Sequence, residues 1–202
     1  MGSYRTILFD LGNVLFCDPW ETLLLTPETG LADVHGWDRR EVTHAGEKLW
    51  RKYSIIKSSE ADYWEDFKSL LGVEISHSEI QDASRHLLFP NPSATDILES
   101  ATATGARIGI ASNNTSFWFS LQWQLLHLQR FVDPELIFVS HELGVEKSTP
   151  GEGILEIAKK YTDPRKTLFV DDRRGNLDRA KSIGYHTLRY SLSDGSALPD
   201  LA

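Results

Sequence analysis

The chain has 202 residues, of which 41% are hydrophobic and 25% are charged, the composition of an ordinary globular protein. This length fits one domain, or one core domain that carries a smaller insertion. The formal net charge of −8 repels nucleic acids and anionic lipids, so neither is expected as a partner.

No apolar stretch reaches the roughly 18 residues that a membrane span needs, so no membrane association is expected. The single cysteine, Cys17, cannot form an internal disulfide and is interpreted as a small buried hydrophobic residue. The segment from Met1 to Arg5 runs directly into a strand-like run and lacks the architecture of a signal peptide. These features predict a cytoplasmic location.

Five short apolar runs are rich in Ile, Leu, Val and Phe, which is typical of buried strands. They are residues 6–9, 107–111, 136–139, 167–170 and 187–190. Helical patterns lie between the later runs, at about residues 117–129, 151–161 and 176–183. Strands that alternate with helices predict an α/β fold with a Rossmann-like parallel sheet and right-handed crossovers.

The stretch from residue 17 to residue 90 interrupts this alternation. It contains no convincing strand, and helical patterns lie near residues 39–53, 60–71 and 78–88. We therefore predict a small helical cap domain at residues 17–90, inserted after the first strand into a catalytic core of residues 1–16 and 91–202. Within and just after this stretch, capping boxes are predicted for Ser76 with Glu79 and for Ser93 with Asp96.

Four of the six tryptophans lie in the predicted insertion: Trp20, Trp37, Trp50 and Trp64. An aromatic substrate pocket is one interpretation. We favour the other, in which a small helical unit needs bulky side chains to fill its core.

The ends of the predicted strands carry the groups with chemical potential. They are Asp10 after the first strand, Ser112-Asn113-Asn114 after the second, Lys147 some way after the third, and Asp171-Asp172 after the fourth. Each of these, taken singly, is an ordinary cap, turn or surface residue. Open parallel sheets bind ligands beyond the carboxyl ends of their strands, so the set is expected to meet at one edge.

Phosphoryl transfer is the chemistry that this set favours. Neighbouring carboxylates repel one another unless a cation lies between them, and Asp10 and Asp172 with a carbonyl near Gly12 make an oxygen-rich site that suits Mg²⁺. Asp10 is then placed to attack phosphorus. Ser112 and the amides around Asn113 are expected to hold phosphate oxygens, while Lys147 neutralises charge.

These motifs resemble those of the haloacid dehalogenase (HAD) superfamily. Residues 9–15 (FDLGNVL) are similar to its first motif, residues 112–113 to its second, Lys147 to its third and residues 169–172 (FVDD) to its fourth. The first motif is most similar to the branch that contains sugar-phosphate phosphatases and the N-terminal phosphatase domain of soluble epoxide hydrolase. The predicted helical insertion stands where this family places its cap.

The resemblance implies a Mg²⁺-dependent hydrolase that cleaves a small phosphorylated metabolite through an aspartyl-phosphate intermediate. It implies that Asp10 is the nucleophile and that Asp10, the Gly12 carbonyl and Asp172 bind the metal. The remaining implied roles are phosphate binding by Ser112, Asn113 and Lys147, with Lys147 also catalytic, and support of the site by Asp171 and Asn176.

Two positions depart from the family pattern. Many family phosphatases carry a general acid and base two residues after the nucleophile, where this chain has Gly12, and losing such a group costs on the order of a hundredfold in rate. Good leaving groups, such as anomeric sugar phosphates or acyl phosphates, are therefore expected to react faster than alkyl phosphates. The second departure is the Ser148-Thr149-Pro150 sequence after Lys147, which lacks the stiff Pro-Asp-Pro turn common in the family.

Two nearby side chains have open interpretations. His141 is a candidate replacement acid, although a turn or surface histidine is favoured. Arg173 either attracts phosphate or pairs with neighbouring acidic residues.

Three other functions stay open at this point. A phosphomutase normally needs an acid and base at position 12, which disfavours it, and a dehalogenase needs no metal, which Asp172 disfavours. A binding or scaffold protein that has lost turnover is supported by Gly12 and by the altered turn. The sequence specifies neither the substrate nor the oligomeric state.

Overall fold

A five-stranded parallel sheet organises the chain, and the computed structural model describes residues 4–192. The strands are β1 (Thr6–Phe9), β2 (Arg107–Ser112), β3 (Val132–Val139), β4 (Thr167–Asp171) and β5 (His186–Arg189). Their order across the sheet is β3-β2-β1-β4-β5, with every neighbouring pair parallel. The predicted α/β fold with a Rossmann-like sheet is confirmed.

The central strands are buried on both faces, which explains their uninterrupted apolar sequences. Ile7 and Phe9 belong to a core shared with the helices that precede β2, whereas Leu8 points to the opposite core. All three side chains are fully buried. Four strands differ slightly from the prediction: β2 and β4 end one residue later, β3 begins four residues earlier, and β5 begins and ends one residue earlier.

Helices cover both faces of the sheet. Outside the segment between β1 and residue 91 they are α6 (Ala94–Ala103), α7 (Ser116–Leu125), α8 (Ser140–Leu143), α9 (Ile154–Ala158) and α10 (Arg174–Ile183). Short 3-10 turns occupy Leu128–Arg130 and Pro164–Lys166. None of the described helices is both long and apolar enough to cross a membrane.

Helices α7 and α9 are shorter than the sequence predicts. His127 has a φ of +50°, which ends the helical path after α7 and leaves only a 3-10 turn beyond it. Gly151 has a φ of +81°, a left-handed conformation that glycine adopts without steric cost, so α9 begins only after Gly153.

Five helices occupy the segment between β1 and α6. They are α1 (Pro19–Leu25), α2 (Leu31–His35), α3 (Arg39–Tyr53), α4 (Glu60–Leu71) and α5 (His77–Leu87). The start and the end of this helical segment lie side by side. Phe16 forms a bridge with Pro90, and the Cys17 amide donates to the Phe89 carbonyl at 3.1 Å. The division into a core and a cap at residues 17–90 stays a prediction.

Close packing of α1 on α3 positions these helices. A Cβ atom at Gly46 in α3 would lie 2.4 Å from Cε3 of Trp20, so only glycine lets the indole ring lie against the helix backbone. Trp20 and Trp64 are buried in the core, as predicted, and so is Cys17.

The two predicted capping boxes have different outcomes. At α5 the Ser76 hydroxyl accepts from the Glu79 amide, and Glu79 accepts in return from the Ser76 amide at 2.9 Å, so this prediction is confirmed. At α6 the prediction is wrong, because the Ser93 side chain makes no capping bond. The Asn91 side chain instead accepts a hydrogen bond from the Ser93 amide at 2.9 Å.

Because Ser76 caps a helix and Ser93 does not, these two exposed serines provide a matched pair of variants. Ser76→Ala removes a helix cap and should lower the free energy of unfolding by about 1 kcal/mol. Ser93→Ala is the control, because its hydroxyl caps nothing, and should change stability by less than about 0.5 kcal/mol. Urea unfolding followed by circular dichroism measures both, and equal losses would contradict the assignment of the caps.

Candidate active site

The register of the sheet brings Asp10 and Ser112 together. Phe9 pairs with Ile110 on one side and with Val170 on the other, so the residues that follow these three emerge at the same edge. The Ser112 hydroxyl donates to Asp10 Oδ1 at 2.8 Å, and the Leu11 amide donates to the same oxygen at 2.8 Å. Two donors therefore fix one oxygen of the buried Asp10 carboxylate.

Lys147 completes the floor of the site. Its ammonium nitrogen lies 2.7 Å from Asp10 Oδ2 and 2.7 Å from Asp171 Oδ2, and the residue is only 1% exposed. The Lys147 backbone amide donates to Asn113 Oδ1 at 2.8 Å. The Asn113 side chain therefore orients the backbone at Lys147, a role additional to the predicted binding of phosphate.

The turn after Lys147 is closed by hydrogen bonds rather than by a second proline. The Glu146 amide donates to Thr149 Oγ1 at 3.1 Å, and the Ile154 amide donates to the Glu146 carbonyl at 3.2 Å. These bonds compensate for the missing Pro-Asp-Pro sequence.

The two adjacent carboxylates at the end of β4 have different surroundings. Asp171 is fully buried and accepts from Lys147, from the Asn176 side-chain amide at 3.0 and 3.1 Å, and from the Arg173 amide at 2.8 Å. Asp172 is partly exposed, and within residues 4–192 its carboxylate accepts one long hydrogen bond, from Asn13 at 3.5 Å. Asp172 thus has oxygens available for a ligand, whereas those of Asp171 are committed.

Negative charge exceeds positive charge in this cluster. Asp10, Asp171 and Asp172 each offer one oxygen, and these three atoms lie within 4.8 Å of one another around a single buried amine. Burial raises the pKa of Asp10 to about 6 against the opposing attraction of Lys147, and burial with the charge of Asp171 raises the pKa of Asp172. This set of hard oxygen donors with uncompensated charge fits a divalent cation such as Mg²⁺.

The charge of Lys147 is stabilised by its partners. Burial lowers the pKa of this amine, but attraction to the Asp10 and Asp171 carboxylates outweighs that effect and leaves the pKa raised. The side chain therefore stays protonated at neutral pH.

A cavity of about 250 Å³ opens above these groups. Five predicted residues line it: Asp10, Gly12, Asn113, Lys147 and Asn176. Ser112 and Asp171 lie beneath them, fully buried, and act on the site through Asp10 and Lys147.

Sequence reasoning missed several residues of the cavity wall. Asp18, Trp50 and Arg51 come from the helical segment, Asn114 comes from the loop after β2, and Gln122 comes from α7. Trp50 is half-buried: it packs against the core and also lines the cavity, so it fits both interpretations given for the tryptophans. For Asn114 the signal was present, since it adjoins the predicted phosphate-binding pair. For Asp18, Arg51 and Gln122 the sequence offers no signal, because their approach depends on how the helices pack.

Among the described residues, His141 is not one of those that line the cavity. It is buried, its Nδ1 lies 3.1 Å from the Asn114 carbonyl oxygen, and burial lowers its pKa. It is therefore neither the replacement acid nor the surface histidine considered above. Arg173 does line the cavity, with its guanidinium 3.4 Å from Asp18 and 3.7 Å from Glu21, so it pairs with acidic residues.

Comparison with known proteins places this site in a wider context. No protein-family model matches the chain. It is 25% identical over 202 residues to mouse acyl-CoA dehydrogenase family member 10, a match that covers 93% of this chain. The chain spans only 18% of the length of that relative.

Solved structures share the fold over nearly the whole chain. The HAD-family enzyme BT-2542 of Bacteroides thetaiotaomicron matches with a TM-score of 0.70 at 17% identity, covering 93% of this chain and 94% of that chain. L-2-haloacid dehalogenase of Xanthobacter autotrophicus matches with a TM-score of 0.59 at 17% identity, covering 92% and 77%. The chain therefore has the fold of HAD enzymes, as the resemblance of its motifs implies.

The buried amine gives a stability prediction. Lys147→Met leaves Asp10 and Asp171 without a counter-charge, and the free energy of unfolding at pH 7 should fall by about 3–5 kcal/mol. With the lysine gone, the positive charge that opposes the raised pKa of Asp10 is lost. A carboxyl group whose pKa is higher in the folded than in the unfolded protein lowers the free energy of unfolding at high pH. This loss of stability is relieved as the pH falls through the pKa of the folded protein. Urea unfolding in EDTA should therefore show a smaller deficit at pH 5 than at pH 7.

Lys160→Met is the matched control, because Lys160 is exposed. Its stability should stay within about 0.5 kcal/mol of the unmodified protein at both pH values. A Lys147→Met protein that is as stable as this control at pH 7 would contradict the charge balance described here.

Proposed function

We propose that this protein is a Mg²⁺-dependent phosphatase that hydrolyses a small phosphorylated substrate through an aspartyl phosphate on Asp10. One observation carries the proposal: the Asp10 carboxylate is fixed by Ser112 and Lys147 at the floor of a polar cavity, beside the uncompensated Asp172. A carboxylate held in this way is a preformed nucleophile. The cavity volume of about 250 Å³ favours a small substrate.

Asp10, Asp172 and the Gly12 carbonyl would hold the metal. Asp171 belongs to the same acidic cluster, but its oxygens are already engaged by Lys147, Asn176 and the Arg173 amide, which favours Asp172 as the ligand. When bound, Mg²⁺ offsets the negative charge that the carboxylates and the phosphate bring together.

The protein groups then divide the work of phosphoryl transfer. Asp10 attacks phosphorus and displaces the alcohol, and water later cleaves the acyl phosphate to release phosphate and restore the carboxylate. Ser112, Asn113 and Lys147 would bind the phosphoryl oxygens, and Asp171 with Asn176 keep the ammonium of Lys147 in place.

Similar proteins support this assignment over its rivals. BT-2542 has been solved in complex with magnesium and inorganic phosphate, and that structure matches the chain with a TM-score of 0.63 at 18% identity, covering 93% of this chain and 94% of that chain. Dehalogenases share the fold, but a site for haloacids would not need the exposed carboxylate of Asp172. A scaffold without turnover is the remaining rival, and a direct assay separates it from an enzyme.

Removing the nucleophile tests the reaction. Asp10→Asn should abolish the Mg²⁺-dependent hydrolysis of p-nitrophenyl phosphate, a loss of about a thousandfold or more. Asp178→Asn is the control, because Asp178 is an exposed carboxylate on α10, and its rate should match the unmodified protein. Hydrolysis that persists in Asp10→Asn contradicts the proposal, and so does the lack of hydrolysis by the unmodified protein across sugar, aryl and acyl phosphates.

The metal assignment has a test that does not depend on turnover. Asp172→Asn should weaken Mg²⁺ binding by about tenfold or more, because one oxygen ligand of a site with few protein ligands is lost. Isothermal titration calorimetry with MgCl₂ in the absence of substrate measures the affinity. Asp178→Asn again serves as the control. An unchanged affinity in Asp172→Asn would remove this residue from the metal site.

A further inference from the structure

A carboxyl group from the helical segment borders the space that Gly12 leaves open. A Cβ atom at Gly12 would find Asp18 Oδ2 as its nearest neighbour, 3.7 Å away, which is ordinary van der Waals contact. Gly12 is not among the glycines with positive φ, so its backbone does not require glycine. The carboxylate expected on residue 12 is thus missing, while another carboxylate lies in contact distance of the point where that side chain would begin.

Asp18 is buried without serving the helix that it precedes. It occupies the N-cap position of α1, but its side chain makes no capping hydrogen bond. The nearby Glu21 amide is one of the groups that lower its pKa. Its Oδ1 is enclosed and lacks a hydrogen-bond partner among the described residues, and its Oδ2 lies 3.4 Å from the Arg173 guanidinium. Buried polar atoms are nearly always bonded, so an enclosed, unbonded oxygen needs an explanation.

Asp18 shares the cavity with the nucleophile. It lines the same wall as Asp10, Gly12 and Lys147. It does not belong to the acidic cluster of Asp10, Asp171 and Asp172 in which a metal would lie. The position is therefore beside the reaction but outside the predicted metal ligands.

Its ionisation agrees with this placement. Burial above all, and then the Glu21 and Asp172 carboxylates, raise the pKa of Asp18 to about 7 against the opposing effect of Arg173. Near neutral pH both protonation states are populated, as a group that gives and later takes a proton requires.

We propose that Asp18 is the general acid and base of the reaction, in place of the carboxylate that Gly12 lacks. The inference rests on the phosphatase function proposed above. In the first step Asp10 forms a bond to phosphorus, the P–O bond to the alcohol breaks, and the Asp18 carboxyl gives its proton to the departing oxygen. In the second step water attacks phosphorus, the acyl-phosphate bond to Asp10 breaks, and Asp18 takes a proton from the water.

This assignment changes the expectation about substrates. Without an acid, the enzyme would prefer phosphates of good leaving groups, as the sequence alone suggests. With Asp18 as the acid, esters of basic alcohols are also cleaved, and the preference for good leaving groups should appear only when Asp18 is replaced.

Three esters of similar size test this role: p-nitrophenyl, phenyl and benzyl phosphate, whose leaving groups become increasingly basic. The value of kcat/KM reports on the first step alone. In Asp18→Asn it should fall by about a hundredfold or more for benzyl phosphate, but by less than about threefold for p-nitrophenyl phosphate. The kcat should fall for all three esters, because the second step loses its base.

Two further variants separate catalysis from structure. Asp178→Asn removes an exposed carboxylate of α10 that does not line the cavity, and should leave the ratio of the three kcat/KM values unchanged. Gly12→Asp in the Asp18→Asn background returns a carboxylate to the space that Asp18 borders. It should restore benzyl phosphate hydrolysis at least about tenfold over Asp18→Asn.

Four outcomes would overturn the inference. An equal fall in kcat/KM for all three esters assigns Asp18 a structural role, and a raised Mg²⁺ requirement in Asp18→Asn makes it a metal ligand. In both cases the phosphatase function stands. If the unmodified protein cleaves none of the esters, or if Asp10→Asn cleaves them equally well, the proposed function fails and takes the inference with it.

Discussion

A buried ammonium group held between two carboxylates is the constraint on which the site depends. Lys147 lies 2.7 Å from both Asp10 and Asp171, and a charge so deeply buried is stable only with close, well-aligned partners. The two carboxylates follow or end neighbouring strands, so the contact requires β1 and β4 to keep their register. A slip by one residue would turn Asp10 to the other face of the sheet and leave three buried charges unpaired.

Most of the sheet could be predicted from the sequence, because strands covered on both faces leave uninterrupted apolar runs. The exceptions have local causes. In β3, Pro134 and Glu135 interrupt the apolar pattern and hide the first half of the strand. The α1 and α2 helices have seven and five residues, too few to show a helical period, and their positions come from contacts such as that of Trp20 on Gly46.

The candidate site could be predicted only where backbone topology determines it. Asp10, Ser112 and Asp171 meet because parallel strands end at a common edge, which the order of the motifs already implies. The sequence does not show that Asp171 is saturated by donors while its neighbour Asp172 is open, since that depends on side-chain packing around Lys147. Asp18 was missed for a related reason: followed by Pro19, it has the sequence of an unremarkable helix start.

The balance of charge connects the metal to the helical segment. Lys147 is already neutralised by Asp10 and Asp171, Arg173 is paired with Asp18 and Glu21, and Arg51 of the cavity wall lies 3.6 Å from Glu47, so none of these three cations is in surplus. A phosphate dianion that enters this acidic cavity therefore needs positive charge from outside the protein, which favours a divalent cation at Asp172. It also needs at least one carboxyl of the wall to be neutral. Burial favours a proton on Asp18, as it does on Asp10, so under the proposed function the shortage of cations that would call for Mg²⁺ would also favour a protonated Asp18.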